Sequence, residues 1–176
     1  NNTKNPFFDN LYRDRRDIHH DLNANLYAIV KLPFGFEYQM NFTPRYHWYE
    51  YMNHESAEHP EWAGDGGRSE RKNEKTFNWQ VDNILRWKKE FGEDHRVEAT
   101  FLQNAEKGQW WKTVAQNKLY SPSDILGFHN IGAGTAPSVS SEDTYKTGDA
   151  LMGRLFYSFK DKYMLTASVR RDGYSA

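Results

Sequence analysis

Between Phe36 and Trp48, apolar and polar residues alternate without a break. Phe36, Tyr38, Met40, Phe42, Pro44, Tyr46 and Trp48 hold the even positions, with Glu37, Gln39, Asn41, Thr43, Arg45 and His47 between them. Successive side chains of a strand point to opposite faces, so the pattern predicts one strand with an apolar face and a polar face. A strand crossing a bilayer at about 45° needs roughly 9–11 residues, and this run is longer. The expectation is a wall strand of a membrane β-barrel, apolar toward lipid and polar toward water.

The same rhythm recurs along the chain. It predicts six strands, at residues 18–32, 36–51, 75–91, 95–105, 150–159 and 163–171. Residues 1–17 read as loop. Pro33-Phe34-Gly35, Gly92-Glu93-Asp94 and Lys160-Asp161-Lys162 read as tight turns, Pro presetting φ and Gly accepting positive φ. Residues 52–74 and 106–149 read as long loops, the second with a short helix near residues 123–127. Connections thus alternate short and long, as in outer-membrane barrels with short periplasmic turns and long extracellular loops. Aromatics cluster at both strand ends, Phe34, Phe36, Trp87, Phe91, Phe159 and Tyr163 by the short turns and Tyr46, Trp48, Phe77 and Trp79 by the long loops, as interfacial belts would. Two residues fit poorly. Asn83 falls on the apolar side of its strand, and Pro44 cannot donate to a ladder, which predicts an edge or a bulge there. A soluble β-sandwich or meander also alternates and is the competing fold.

Composition sharpens this picture. The 176 residues carry 23 basic and 24 acidic side chains, for a formal net charge of -1, which argues against a nucleic-acid binder. Mean hydropathy is low at -0.96, yet aromatics reach 16%. A barrel wall combines these values, because half of each strand faces water. Without cysteine there are no disulfides, thiolate nucleophiles or sulfur-ligated zinc sites. No run approaches the length of a membrane helix. Neither a signal peptide nor an initiator Met is present, and both ends read as cut from something longer.

Catalytic chemistry finds no support. There is no nucleophile elbow, no phosphate loop, and nothing that sets two carboxylates around a substrate. Seven histidines invite a metal, but their spacing matches no ligand set, and His19 and His20 lie on opposite strand faces. No cofactor is expected. The Asn41-Phe42-Thr43 sequon lies inside a strand and reads as chance. Glu37, Arg45, Gln80, Asp82, Arg86 and Arg154 form a lumen-facing set that reads as a solvated, mutually paired face. The candidate ligand-binding residues are Trp62, Trp110 and Trp111, placed by this reading in long extracellular loops, where indole faces stack on sugar rings. Their bland alternative is interfacial anchoring or loop self-packing.

Residues 145–176 resemble the mid-barrel signature of SusC/RagA-type TonB-dependent transporters. The matching residues are Gly153-Arg154, Tyr157, Lys160-Asp161-Lys162-Tyr163, Leu165-Thr166-Ala167-Ser168 and Arg170-Arg171-Asp172-Gly173. Tyr174 departs, since the family commonly has a small residue after that Asp-Gly. Asn5-Pro6-Phe7-Phe8 also looks like the loop that precedes a family barrel strand. The resemblance implies an all-β, antiparallel transmembrane barrel, of which this chain would supply six of 22 strands. It implies import of a large nutrient, a glycan, oligosaccharide or peptide, through the Gram-negative outer membrane. A SusD-like surface lipoprotein and the TonB–ExbB–ExbD complex would be the full protein's partners. The rival classes are a soluble glycan-binding β-domain and a surface adhesin.

Overall fold

The structure, a computed structural model, describes residues 6–121 and 123–175. A short helix, α1 (Pro6–Tyr12), leads into β1 (Arg13–Asn23) and β2 (Leu26–Lys31). Then follow β3 (Phe36–Glu55), β4 (Arg68–Phe91), β5 (His95–Lys118), β6 (Ser138–Phe159) and β7 (Tyr163–Ser175). One seven-stranded sheet runs in the order β1-β3-β4-β5-β6-β7, with β2 also paired to β3. No helix is long and apolar enough to cross a membrane, which says nothing about strands.

The expected strand at residues 18–32 is two strands, and Pro44 explains the break. In the β2–β3 register Leu26 lies opposite Phe42. Two residues further on, Ala24 N donates to Pro44 O at 3.1 Å. Pro44 has no N–H to return, so the ladder lapses at Ala24 and Asn25. Neither a sheet edge nor a bulge is needed, since the neighbouring row breaks instead.

The strands outrun the alternation that predicted them. β4 starts at Arg68, β5 ends at Lys118 and β6 starts at Ser138, all inside segments expected to be loop. Residues such as Arg68-Ser69-Glu70-Arg71-Lys72 are polar on both faces, so these strands carry no period-two hydrophobic signal. The same holds for β1, whose first residues Arg13-Asp14-Arg15-Arg16-Asp17 read as loop. The expected long loops at residues 52–74 and 106–149 shrink to residues 56–67 and 119–137. The short helix expected near residues 123–127 is a 3-10 segment at Gly127–Ala133. Of the Asn5-Pro6-Phe7-Phe8 motif, Asn5 lies outside the described residues, and Phe7 and Phe8 belong to α1.

By contact density the chain falls into two compact units. One comprises Asn1–Asp21, His47–Thr76 and Trp110–Thr144, the other Leu22–Tyr46, Phe77–Gln109 and Tyr145–Ala176. In the second unit the three short turns are built by local chemistry. Phe34 and Gly35 take φ of 64° and 85°, and a Cβ on Gly35 would strike Lys88 O. Trp87 Nε1 donates to Phe34 O at 3.1 Å, fixing the exposed Phe34 corner. The β6–β7 turn puts Lys160 and Asp161 at φ near 53° and 52°. Lys160 N donates to Asp94 O at 2.7 Å, tying that turn to its β4–β5 neighbour.

Candidate functional site

Side-chain parity separates two chemistries in the second unit. Directly opposed residues of paired strands share a face. In β2–β3 the pairs Leu26–Phe42, Ala28–Met40 and Val30–Tyr38 are apolar. In β6–β7 so are Gly153–Val169, Leu155–Ala167 and Tyr157–Leu165. Leu151, Leu155, Leu165, Val169 and Met40 are solvent-accessible despite being apolar. Phe36, Trp87 and Phe91 contact one another in sequence, their ring centroids 6.1 and 6.4 Å apart. His95 stacks on Tyr157 and lies 4.9 Å from the Phe159 ring. The short-turn end of this face therefore carries an aromatic belt.

The opposite face is polar and cross-linked. Arg86 Nη1 donates to Glu37 Oε1 at 3.1 Å and Gln39 Oε1 at 2.7 Å. Asp82 accepts from Gln80 Nε2 at 3.1 Å and from Asn104 Nδ2 at 2.6 Å. Glu37, Gln80, Asp82 and Arg86 are thus engaged with neighbouring polar groups on this face. Among the described residues, Arg45 and Arg154 form no ion pair. Arg45 lines a polar recess of about 200 Å³ with Asn78, Gln80, Glu106 and Lys146. A Cβ on Gly108 would sit 2.6 Å from Asn78 Oδ1 and 3.1 Å from Lys146 Cε, so glycine is what lets those two side chains converge.

The first unit carries an aromatic and charged ladder of its own. His19 stacks on Tyr49 at 4.5 Å and lies 5.6 Å from the His47 ring. Lys72 Nζ sits 4.9 Å above Tyr49 and 5.5 Å above Tyr51, while Arg15 covers Tyr51 at 5.2 Å. Asp17 accepts from Tyr49 Oη at 2.7 Å and from Arg15 Nε at 2.8 Å. Asp21 lies 2.7 Å from His47 Nδ1. Cation–π contacts and hydrogen bonds hold these rings in fixed positions. Sequence reading missed the ladder, although continuing the polar register past His47 lands on Tyr49 and Tyr51. Apolar-minus-polar alternation counts those aromatics as breaks, where they are the chemistry of the polar face.

The three tryptophans do not form one site. Trp110 and Trp111 lie within β5, not in a loop, and as adjacent strand residues they point to opposite faces. Lys112 Nζ lies 5.9 Å from the Trp110 ring. Trp62 does lie in a loop, but its ring stacks on buried His59 at 3.9 Å. His59 is also edged by Phe8 and Tyr12 of α1, and its Nε2 lies 3.3 Å from Asp9 Oδ1. Trp62 packs its own loop against α1.

One constellation in this unit has the composition of a catalytic triad. His54 Nδ1 lies 2.8 Å from Ser69 Oγ, and His54 Nε2 lies 3.5 Å from Asp124 Oδ2. Ser69 has no exposed surface, so no substrate carbonyl reaches it. Asp124 Oδ2 also accepts from Ala57 N at 2.8 Å. Burial disfavours its charge, but the Ala57 and Ser56 hydrogen bonds and nearby His54 outweigh that, and the carboxyl titrates below the usual aspartate range. The group is a clamp joining β3, β4 and two loops. Asn117 secures the larger loop. Its Nδ2 donates to Ile131 O and Gly134 O at 2.8 and 2.9 Å, and its Oδ1 accepts from Lys118 N and Ala136 N, both at 2.9 Å. Buried Glu55 is held by the Arg68 guanidinium and lies 3.9 Å from Arg13 Nε. Among the described residues no three histidine or carboxylate side chains converge on a metal position.

No protein-family model matches the chain. It is 29% identical over 117 residues to TonB-dependent receptor P26 of Formosa agariphila, a match covering 65% of this chain and 12% of that protein. TonB-dependent receptor P39 of the same organism is 30% identical over 101 residues, covering 56% of this chain and 10% of the relative. The chain therefore spans about a tenth of the curated relatives it matches. Among solved structures, the RagAB peptide transporter superposes with a TM-score of 0.85 at 16% identity, over 96% of this chain and 19% of that one. The RagAB peptide importer in its open-open state gives a TM-score of 0.81 at 17% identity, over 97% and 19%. The sheet thus shares the fold of a stretch of antiparallel transporter barrel wall.

Proposed function

We propose that the chain is a piece of a SusC/RagA-type TonB-dependent receptor and builds part of the wall of an outer-membrane importer for a large polar nutrient, a glycan or oligosaccharide. The observation that carries this reading is the separation of faces. Leu26, Ala28, Val30, Met40 and Phe42 share one face, while Glu37, Gln39, Asp82, Arg86 and Asn104 are linked across the other. The apolar face meets lipid and the cross-linked polar face meets the lumen. The short turns of the second unit then lie on the periplasmic side. In the full protein a SusD-like lipoprotein would cap the outer mouth, and TonB–ExbB–ExbD would supply energy. Substrate contact falls to the ladder of His19, His47, Tyr49 and Tyr51 in preference to Trp62, Trp110 and Trp111. A peptide substrate is the second reading, favoured by the fold shared with the RagAB peptide transporter.

Fractionation of the native full-length gene product tests the location. Recovery in the outer-membrane fraction is expected, and recovery as a soluble protein would reject the barrel in favour of a soluble glycan-binding domain. Growth of a deletion strain on polysaccharide against peptide as sole carbon source separates the two substrates.

A further inference from the structure

Four glycines lie inside strands of the second unit, and three have an internal reason. A side chain at Gly108 would meet Asn78 and Lys146, at Gly148 it would meet Glu106 at 2.7 Å, and at Gly173 Asp149 at 2.5 Å. Gly153 differs. A Cβ there would touch only Val169 Cγ1 at 3.8 Å, and its φ is not in the left-handed region. Neither the backbone nor a neighbour within the chain requires glycine at this position. What its missing side chain leaves is the floor of a groove of about 500 Å³. Ala99 and Ala167 complete the floor, and Phe36, Trp87, Phe101 and Leu155 are among the walls.

The geometry points to this groove as a seat for one acyl chain of a bilayer phospholipid from the short-turn leaflet. Its position on the apolar face makes it continuous with the lipid-facing surface, an assignment that rests on the function proposed above. Its reach fits a single chain. At one end stand Trp87 and Phe36 of the aromatic belt. From Phe159 by the turn back to Gly153 is about 20 Å of strand at ~3.3 Å per residue. Tilted about 45°, that is roughly 14 Å of depth, half of a hydrocarbon core ~30 Å thick. The floor at Gly153 therefore lies at a depth that one leaflet's chain reaches from the belt. Most of its lining is apolar, which suits a hydrocarbon, with Thr100, Arg154 and Ser168 the polar residues that border it.

The test uses the full-length parent, purified in mild detergent and supplied with palmitoyl-oleoyl phosphatidylethanolamine. Native mass spectrometry reads the affinity of the last retained lipid. Gly153→Leu fills the groove and should weaken that lipid at least tenfold. Ala28→Leu, elsewhere on the same face, should leave it unchanged. Heat-modifiability on a gel reports that each variant is folded. Should Gly153→Leu fail that gel, Ala99→Leu fills the same floor and carries the same expectation. Equal retention by wild type and a folded groove-filling variant, or equal loss with Ala28→Leu, would overturn the seat. Either result leaves the importer reading standing. A parent recovered as a soluble protein would instead remove the premise.

Discussion

Tyr38 Oη donates a 2.5 Å hydrogen bond to Asn83 Oδ1 on the apolar face of the sheet. Asn83 Nδ2 donates in turn to Gln103 Oε1 at 2.7 Å, and Gln103 Nε2 reaches Asn104 O at 3.2 Å. The asparagine that breaks the apolar register is therefore the middle of a closed relay. Each member satisfies the next on an otherwise apolar face, which is the condition for tolerating polar groups there. Asn83→Leu should destabilise the refolded parent by about 1–3 kcal/mol, the cost of leaving buried partners unpaired. Combining it with Tyr38→Phe and Gln103→Leu removes the whole relay and should recover most of that loss. Urea unfolding in detergent micelles reads both. A single mutant as stable as wild type would mean that the relay contributes nothing.

Phe42 lies six positions from the belt residue Phe36, near mid-depth of the apolar face by the same strand arithmetic. Its partner across the ladder is Leu26. Phe42→Arg should cost roughly 2–4 kcal/mol, the range for a cation at the midplane of a barrel's lipid face. Asn41→Arg, one residue along and on the polar face, should cost far less. A larger cost for Asn41→Arg would show that the faces have been exchanged, and equal costs would show that neither faces lipid.

How much of this was legible in the sequence follows from where its signal lives. The unbroken alternation from Phe36 to Trp48 announced the strand, its faces and its bilayer-crossing length. Asn83 and Pro44 stood out as misfits, but their resolutions needed neighbours distant in sequence. Asn83 is answered by Tyr38 and Gln103, and Pro44 by the gap at Ala24. The strand ends at Arg68, Lys118 and Ser138 left no trace, because a strand polar on both faces has no period-two pattern. Trp110 and Trp111 were misplaced for that reason, assigned to a loop that is in fact the end of β5. Trp62 was correctly given a loop, but its stacking on His59 depends on α1, in a segment that read as unstructured. The ladder of Tyr49 and Tyr51 continues the polar register of His47, but an apolar–polar count has no place for aromatics on the polar face.

Asn117 makes three hydrogen bonds to the backbone of the loop that follows β5 and one to Lys118 N at the strand's end. Every donor and acceptor of its amide is used. Asn117→Leu strips Gly134 O of the amide donor and leaves Ile131 O only the 3.4 Å bond from Tyr120 Oη, and each buried unpaired group costs about 1–3 kcal/mol. Asn117→Asp keeps the acceptor but sets a carboxylate against two carbonyl oxygens, and should be at least as damaging. Limited proteolysis of the parent should show faster cleavage within residues 119–137 in both variants, with the membrane-embedded strands unaffected. Unchanged cleavage would indicate that the loop is held by other contacts.

The Asp124 clamp gives the same region an acid limit. Its carboxylate binds Ala57 N at 2.8 Å and faces His54 Nε2 at 3.5 Å. Its pKa is lowered in the folded protein, below the ordinary value of about 3.9. Above that ordinary value the carboxyl is charged whether the loop is docked or free, and its full contribution is present. As pH falls below about 4, the free loop takes up a proton before the docked loop does, so docking weakens progressively until the folded pKa is passed. Amide exchange at Ala57, compared between wild type and Asp124→Asn, reads this directly. The two should differ by a constant protection factor above pH ~5 and converge as pH drops toward 3. A difference that persists undiminished at pH 3 would mean that hydrogen-bond geometry, not the carboxylate's charge, holds the clamp.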